Sequence, residues 1–250
     1  MSEDRIFLDM EQVTDFTFDS RVADVFDDMV SRSVPCYGEI QDRMAELIIE
    51  FIPSGDCLAY DLGCSTGTTL ARILSHPSCP PNLRFVGVDN APDMLHIAEE
   101  KLAPFSDRVT LVEADLNDFE LEPCSFVIMN WTLQFVRPIL RESMVSRIQN
   151  ALRPGGVFFL SEKILVADSL LNRIYIDMYL RYKKGRGYSD EEIRRKREAL
   201  ENVLVPYRIE ENVELLHRCG FPIVDTWFRW LNFASIMAIR GQDRTEPKES

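Results

Sequence analysis

Four short stretches carry residues whose types and spacing can do chemistry. Asp61-Leu62-Gly63-Cys64-Ser65-Thr66-Gly67 places two glycines around a three-residue gap, directly behind the apolar run Cys57-Leu58-Ala59-Tyr60. Glycine has no Cβ and tolerates positive φ, so such a turn lets bare backbone approach a ligand, with Gly63, Cys64 and Ser65 at the point of contact. Asp89-Asn90 closes a second apolar run. A carboxylate there can accept hydrogen bonds from both hydroxyls of a ribose, and its charge disfavours a 2′-phosphate. The competing use of Asp89 is to cap the helix that Asn90-Ala91-Pro92 introduces. Asp115-Leu116 closes a third run, where the acid can accept from an adenine amino group and the neighbouring backbone N–H can meet a ring nitrogen. Asn130 closes a fourth, within reach of both the amino acid part of a nucleoside cofactor and a second substrate. Met94 is expected to wall the adenine, the alternative for a helical methionine being plain core packing. The phosphate-cradling Gly-x-Gly-x-x-Gly of dinucleotide enzymes is absent.

These residues need a scaffold that brings the ends of successive strands together. The apolar runs 57–60, 83–89, 109–115, 125–130 and 157–162 read as strands, separated by helical patterns beginning at Thr68, over 92–102 and near 138–151. Alternation of this kind predicts a doubly wound, mostly parallel α/β sheet with right-handed crossovers. Its ligand crevice lies beyond the carboxyl ends of the strands, where the order reverses. Arg153-Pro154-Gly155-Gly156 reads as the turn into the fifth strand. Apolar positions in Phe16–Val30 and over 39–52 recur at helical spacing and give a helical cap across residues 1–52. After Lys163 the alternation stops: 168–184 and 189–203 read as helices of an insertion spanning 164–205, with Ser189 and Glu192 forming a capping box. A helix over 209–218 and two strands, Ile223–Trp230 and Phe233–Ile239, complete the pattern as an antiparallel hairpin at the sheet edge. One domain is therefore expected over 1–240, with seven strands and a disordered polar tail at 241–250.

Bulk properties narrow the function classes. A net charge of −13 argues against a general nucleic-acid surface. The six cysteines form no C-x-x-C pair and share no regular spacing with the three histidines, so neither a metal site nor a disulfide framework is expected. The acidic start Met1-Ser2-Glu3-Asp4-Arg5 leads into no apolar signal segment, and no run approaches the ~18 apolar residues of a membrane helix. A cytoplasmic protein acting on small molecules is the expectation.

The four strand-end stretches, in order and with the Pro154-Gly155-Gly156 turn, resemble the core of class I S-adenosylmethionine-dependent methyltransferases over residues 55–163. Further stretches are more specific: Phe18-Asp19-x-x-Val22-Ala23-x-Val25-Phe26-x-x-Met29, Arg32-Ser33-Val34-Pro35-x-Tyr37, Asn130-x-Thr132-Leu133-Gln134-Phe135, Leu160-Ser161-Glu162-Lys163, Gly187-Tyr188-Ser189, Lys196-Arg197-x-x-Leu200-Glu201-Asn202-Val203 and Leu231-Asn232-Phe233. Together they resemble the carboxy-S-adenosyl-L-methionine synthase family across residues 5–240. The resemblance implies conversion of S-adenosylmethionine and prephenate to carboxy-S-adenosylmethionine and phenylpyruvate. Prephenate supplies the carbon dioxide, together with the base that takes a proton from the sulfonium methyl group. It further implies a homodimer that binds neither nucleic acid nor membrane. Its product feeds a separate enzyme that carboxymethylates the tRNA wobble uridine.

The resemblance also assigns two flanking residues. Arg197 matches the family's carboxylate-binding arginine, whose guanidinium can grip an anion through two parallel hydrogen bonds; Tyr37 closes over the cofactor. Arg197 can serve its own subunit or its partner's. The sequence departs from the family at Cys36, where glycine is usual, and at Tyr179 and Leu180, where two histidines are common. Arg32, Lys163 and Arg197 remain as positive charge for a dicarboxylate. Two other readings stand beside this one: a methyltransferase for a small metabolite, with Asn130 and Trp131 orienting the nucleophile, and a non-catalytic cofactor-binding dimer.

Overall fold

The computed structural model describes residues 18–242. Phe16, the acidic first residues and most of the expected tail lie outside the described residues.

The sheet has seven strands: β1 (Cys57–Leu62), β2 (Leu83–Asp89), β3 (Val109–Glu113), β4 (Cys124–Asn130), β5 (Leu152–Lys163), β6 (Ile223–Trp230) and β7 (Phe233–Ile239). Their order is β3-β2-β1-β4-β5-β7-β6. The first five run parallel, and β7 is antiparallel to both β5 and β6. The order reverses between β1 and β4, which opens the crevice at the carboxyl ends of those strands. The helices are α1 (Ser20–Ser33), α2 (Tyr37–Glu50), α3 (Thr68–Leu74), α4 (Pro92–Leu102), α5 (Pro138–Ala151), α6 (Ser169–Gly185), α7 (Asp190–Leu200) and α8 (Ile209–Arg218).

A central parallel strand must be apolar on both faces, and β4 shows why. Phe126 and Ile128 join Met44 and Ile48 of α2, Leu70 and Ile73 of α3, and Ala98 of α4 on one side. Val127 and Met129 join Met144, Val145 and Ile148 of α5 and Leu215 and Leu216 of α8 on the other. A third cluster docks the cap: Val22, Ala23 and Met29 of α1 pack with Ala91, with Met94 of α4 and with Ala199 of α7. Asp19 starts α1 by accepting from the Val22 backbone N–H at 3.2 Å. The Ser189–Glu192 capping box starts α7, its two backbone N–H bonds measuring 2.7 and 3.2 Å.

Two of the boundaries that differ from the sequence reading bear on the site. β5 begins at Leu152, paired with Cys124, and continues after a register shift. Pro154-Gly155-Gly156 is thus absorbed inside an irregular strand, with Gly155 at φ 78°, where a strand-entry turn was expected. β3 ends at Glu113, opposite Asp89, so Asp115 sits in the turn beyond the strand.

Candidate active site

The glycine loop between β1 and α3 is held by backbone. Gly63 N–H and Cys64 N–H both donate to the Val88 carbonyl, at 2.8 and 3.0 Å. Gly63, Ser65 and Gly67 all have positive φ, at 80°, 50° and 71°. A Cβ on Gly63 would lie 2.5 Å from the Thr132 side chain. Gly63→Ala therefore combines left-handed strain with a collision. A loss of about 2 kcal/mol is expected, which calorimetry would read as a fall in Tm of about 4–8 °C in a chain of this size. Thr132→Ala in the same chain should recover the steric part only; complete recovery would show that backbone strain contributes nothing.

Asp89 is the loop's electrostatic anchor. Its Oδ2 accepts from Ser65 N–H at 2.9 Å and its Oδ1 from Ala91 N–H at 3.0 Å. An ionised carboxyl offers about four acceptor positions, so each oxygen keeps one open. Burial raises the Asp89 pKa, and the Ser65, Ala91 and Asn90 N–H groups only partly offset it. Asp61, wholly buried and with Oδ2 unpartnered among the described residues, is pushed up to about 7 by burial and then by the Asp89 charge. The Cys64 thiol is driven well above its usual value by burial and by Asp61 and Asp89, which rules it out as a thiolate nucleophile.

A second set of bonds ties the cap to this loop. Asp27 of α1 accepts from Thr66 Oγ1 at 2.7 Å, Thr68 Oγ1 at 2.9 Å and Lys101 Nζ at 2.6 Å. Burial works to raise the Asp27 pKa, but Lys101 and the two threonines outweigh it and hold the carboxyl below its usual value.

These elements enclose a cavity of about 750 Å³. Gly63, Cys64, Ser65, Asp89, Asn90, Asp115, Leu116, Asn130 and Tyr37 all line it, so the structure brings nine of the eleven expected residues together. Asp115 Oδ1 accepts from both the backbone N–H and the side-chain amide of Asn117, each at 2.8 Å. Asn130 donates to Thr69 Oγ1 at 3.3 Å, while its buried Oδ1 has no partner among the described residues. The Tyr37 ring lies 5.1 Å from that of Trp131, and burial raises the pKa of its phenol.

Two expected residues are not on the wall. Met94 is fully buried in the cluster beneath α1, because α4 turns that side chain toward the cap. Arg197 is exposed; α7 turns Lys196 into the cavity and the next residue outward. Of the other two candidate cations, Lys163 lines the cavity, while Arg32 is paired with Asp28 at 2.9 Å and lies 4.3 Å over the Tyr188 ring. The Asp27 cluster had no local sequence signal, while Trp131, expected only under the methyl-transfer reading, has φ 57°, and Tyr179, noted only as a departure from the family, lines the cavity with its hydroxyl donating to the Ser33 carbonyl at 2.9 Å.

Comparison with known proteins bears on this architecture. Residues 59–156 match a family model described as a methyltransferase domain. Two similar proteins, from Desulfotalea psychrophila and Methylococcus capsulatus, are each 45% identical. The matches cover 96% of this chain in both cases, with 98% of the first relative and 100% of the second; both relatives are named carboxy-S-adenosyl-L-methionine synthase. A putative S-adenosyl-L-methionine-dependent methyltransferase from Methanococcus maripaludis superposes with a TM-score of 0.61 at 17% identity, covering 95% of this chain and 100% of that one. That likeness concerns the fold.

Proposed function

The chain belongs to the carboxy-S-adenosyl-L-methionine synthase family, as an enzyme that binds S-adenosylmethionine, and from that premise we propose that it uses prephenate as its second substrate. The products are carboxy-S-adenosylmethionine, phenylpyruvate and water. Carbon dioxide lost from prephenate becomes the new carboxyl group, and the departing methyl proton leaves with the prephenate hydroxide. The bound cofactor supplies a methyl group made acidic by its sulfonium.

The residues present fit that cofactor. Gly63, Cys64 and Ser65 bring the glycine loop to the cavity wall, Asp89 keeps two acceptor positions for ribose hydroxyls, and the buried Asn130 Oδ1, without a partner among the described residues, suits a donor such as the cofactor's amino group. Asp115 and Leu116 then take the adenine, and Tyr37 and Trp131 cover the sulfonium.

One observation carries the reading: the cavity continues past the cofactor residues to a wall of Lys163, Tyr179 and Phe233. At about 750 Å³ it lies in the upper part of the ~300–1,000 Å³ range of small-molecule sites, enough for a cofactor beside a second small molecule. Incubation with S-adenosylmethionine and prephenate should yield a cofactor heavier by one carbon dioxide in mass spectrometry. S-adenosylhomocysteine with a methylated acceptor would replace this reading with methyl transfer.

Arg197 is proposed to serve the active site of a second copy, holding the new carboxyl group. Its exposure supports this, as does the exposed apolar row Leu170, Leu171, Ile174 and Met178 on α6, which suits burial against a partner. We also place the enzyme in the cytoplasm, supplying the donor for carboxymethylation of the tRNA wobble uridine. The chain's net charge of −13 fits a protein that does not itself hold RNA. Among the described residues no helix is long and apolar enough to cross a membrane.

A further inference from the structure

Lys163 ends β5 at the cavity's far wall. Its backbone N–H is fixed by Gln134 Oε1 at 3.0 Å, and its ammonium stands 5.4 Å from the centre of the Tyr179 ring. Among the described residues no carboxylate pairs with it. The neighbouring cavity lysine, Lys196, donates from Nζ to Ser33 Oγ at 2.9 Å. Burial, then the like charge of Arg197, lowers the Lys163 pKa. A desolvated ammonium beside another cation is unfavourable unless an anion arrives to share the site. The wall around it is aromatic and held in place: the Tyr179 and Phe233 rings meet edge to face at 5.1 Å, and the Tyr179 hydroxyl is bonded to Ser33.

We infer that Lys163 Nζ anchors a carboxylate of the second substrate, with Tyr179 and Phe233 forming the apolar wall for the ring that carries it. This deepens the functional reading above and rests on it for the identity of that substrate. It makes Lys163 a specificity-determining residue: an anion bearing a six-membered carbon ring is retained, while a neutral acceptor leaves the ammonium uncompensated.

The test uses the full chain loaded with S-adenosylmethionine, titrated with prephenate in a calorimeter and assayed in parallel for carboxylated cofactor. Lys163→Met, which keeps length and apolar bulk, should weaken prephenate binding 10- to 100-fold and raise its KM by a similar factor. Its kcat should change less than threefold and cofactor affinity less than twofold; Lys163→Arg should restore most of the loss. Prephenate affinity within twofold of wild type in Lys163→Met overturns the assignment, while turnover by the wild type leaves the functional reading intact. Conversely, a wild type that binds prephenate through Lys163 but makes no carboxylated product defeats the functional reading and supports the anchor. A wild type that neither binds nor converts prephenate defeats both. An equal loss of cofactor and prephenate binding in Lys163→Met assigns the residue to general support of the fold and overturns its anchoring role.

Discussion

Asp89→Ala is expected to weaken S-adenosylmethionine binding by at least about 100-fold. The two acceptor positions left open by Ser65 and Ala91 suit two vicinal hydroxyls. Hydrogen bonds to a charged group contribute roughly 1.5–3 kcal/mol each, and 1.4 kcal/mol is about one factor of ten in affinity. The truncation also removes the acceptor that holds Ser65, a non-glycine residue at φ 50°, so the loop loses its shape as well as its partner. Asp89→Asn should fall between, because an amide keeps one acceptor oxygen but turns a donor toward one of the two backbone N–H groups. Carboxylated and uncarboxylated cofactors share the ribose, so both should weaken by the same factor in calorimetry. Unchanged affinity for either would remove Asp89 from ribose recognition and leave it the helix-capping role alone.

How much of this was legible depends on the distance over which each cause acts. Strand ends were readable because an apolar run followed by a glycine or an acid is a local pattern; β2, α4, α5 and α8 begin and end where those signals fall. Helix phase was not. Lys196 and Arg197 are neighbours on α7, and successive helical residues point about 100° apart, so one enters the cavity and the next faces solvent. Only the docking of α7 decides which. Met94 failed for the same reason: α4 offers that face to α1, whose seat on the fold no local pattern announces. Asp27, Thr66, Thr68 and Lys101 each look like ordinary surface residues in sequence. Their meeting is a consequence of the cap's position. Pro154-Gly155-Gly156 lies inside β5 because the same residues that favour a turn also permit a strand irregularity.

Arg141 illustrates the same limit with the larger consequence for stability. In sequence it is one charge among several polar residues on α5, yet it is 1% exposed. Its guanidinium donates to the carbonyls of Val136 at 2.9 Å, Gln134 at 3.2 Å and Val205 at 2.6 Å, and lies 4.2 Å over the Tyr207 ring. It thereby reinforces the junction between segment 134–136 and Val205, whose backbone N–H also donates to the Gln134 carbonyl at 2.9 Å. Arg141→Met would remove the guanidinium from all three carbonyls, leaving only Gln134 with a second donor, the Val205 N–H, and should cost about 3–5 kcal/mol, a fall in Tm of roughly 6–20 °C. Glu162, although it feels the Arg141 charge, makes no direct ion pair with it among the described residues. Burial drives its carboxyl well above the ordinary value, with Arg141 and the Leu133 and Gln134 N–H groups only partly offsetting this, a shift that favours the neutral acid. Glu162→Gln, which preserves that neutral shape, should then cost less than about 1 kcal/mol. The sign of the pH dependence follows. A raised native pKa contributes stability that is fully present below the ordinary carboxyl value of 4.5 and is lost as pH rises toward the native value. Denaturant titrations from pH 5 upward should show the wild type losing stability with a slope that Glu162→Gln reduces. If Glu162→Gln proves as damaging as Arg141→Met, and the slope is unchanged, the carboxyl is ionised and its charge, not the three carbonyl bonds, is what Arg141 serves.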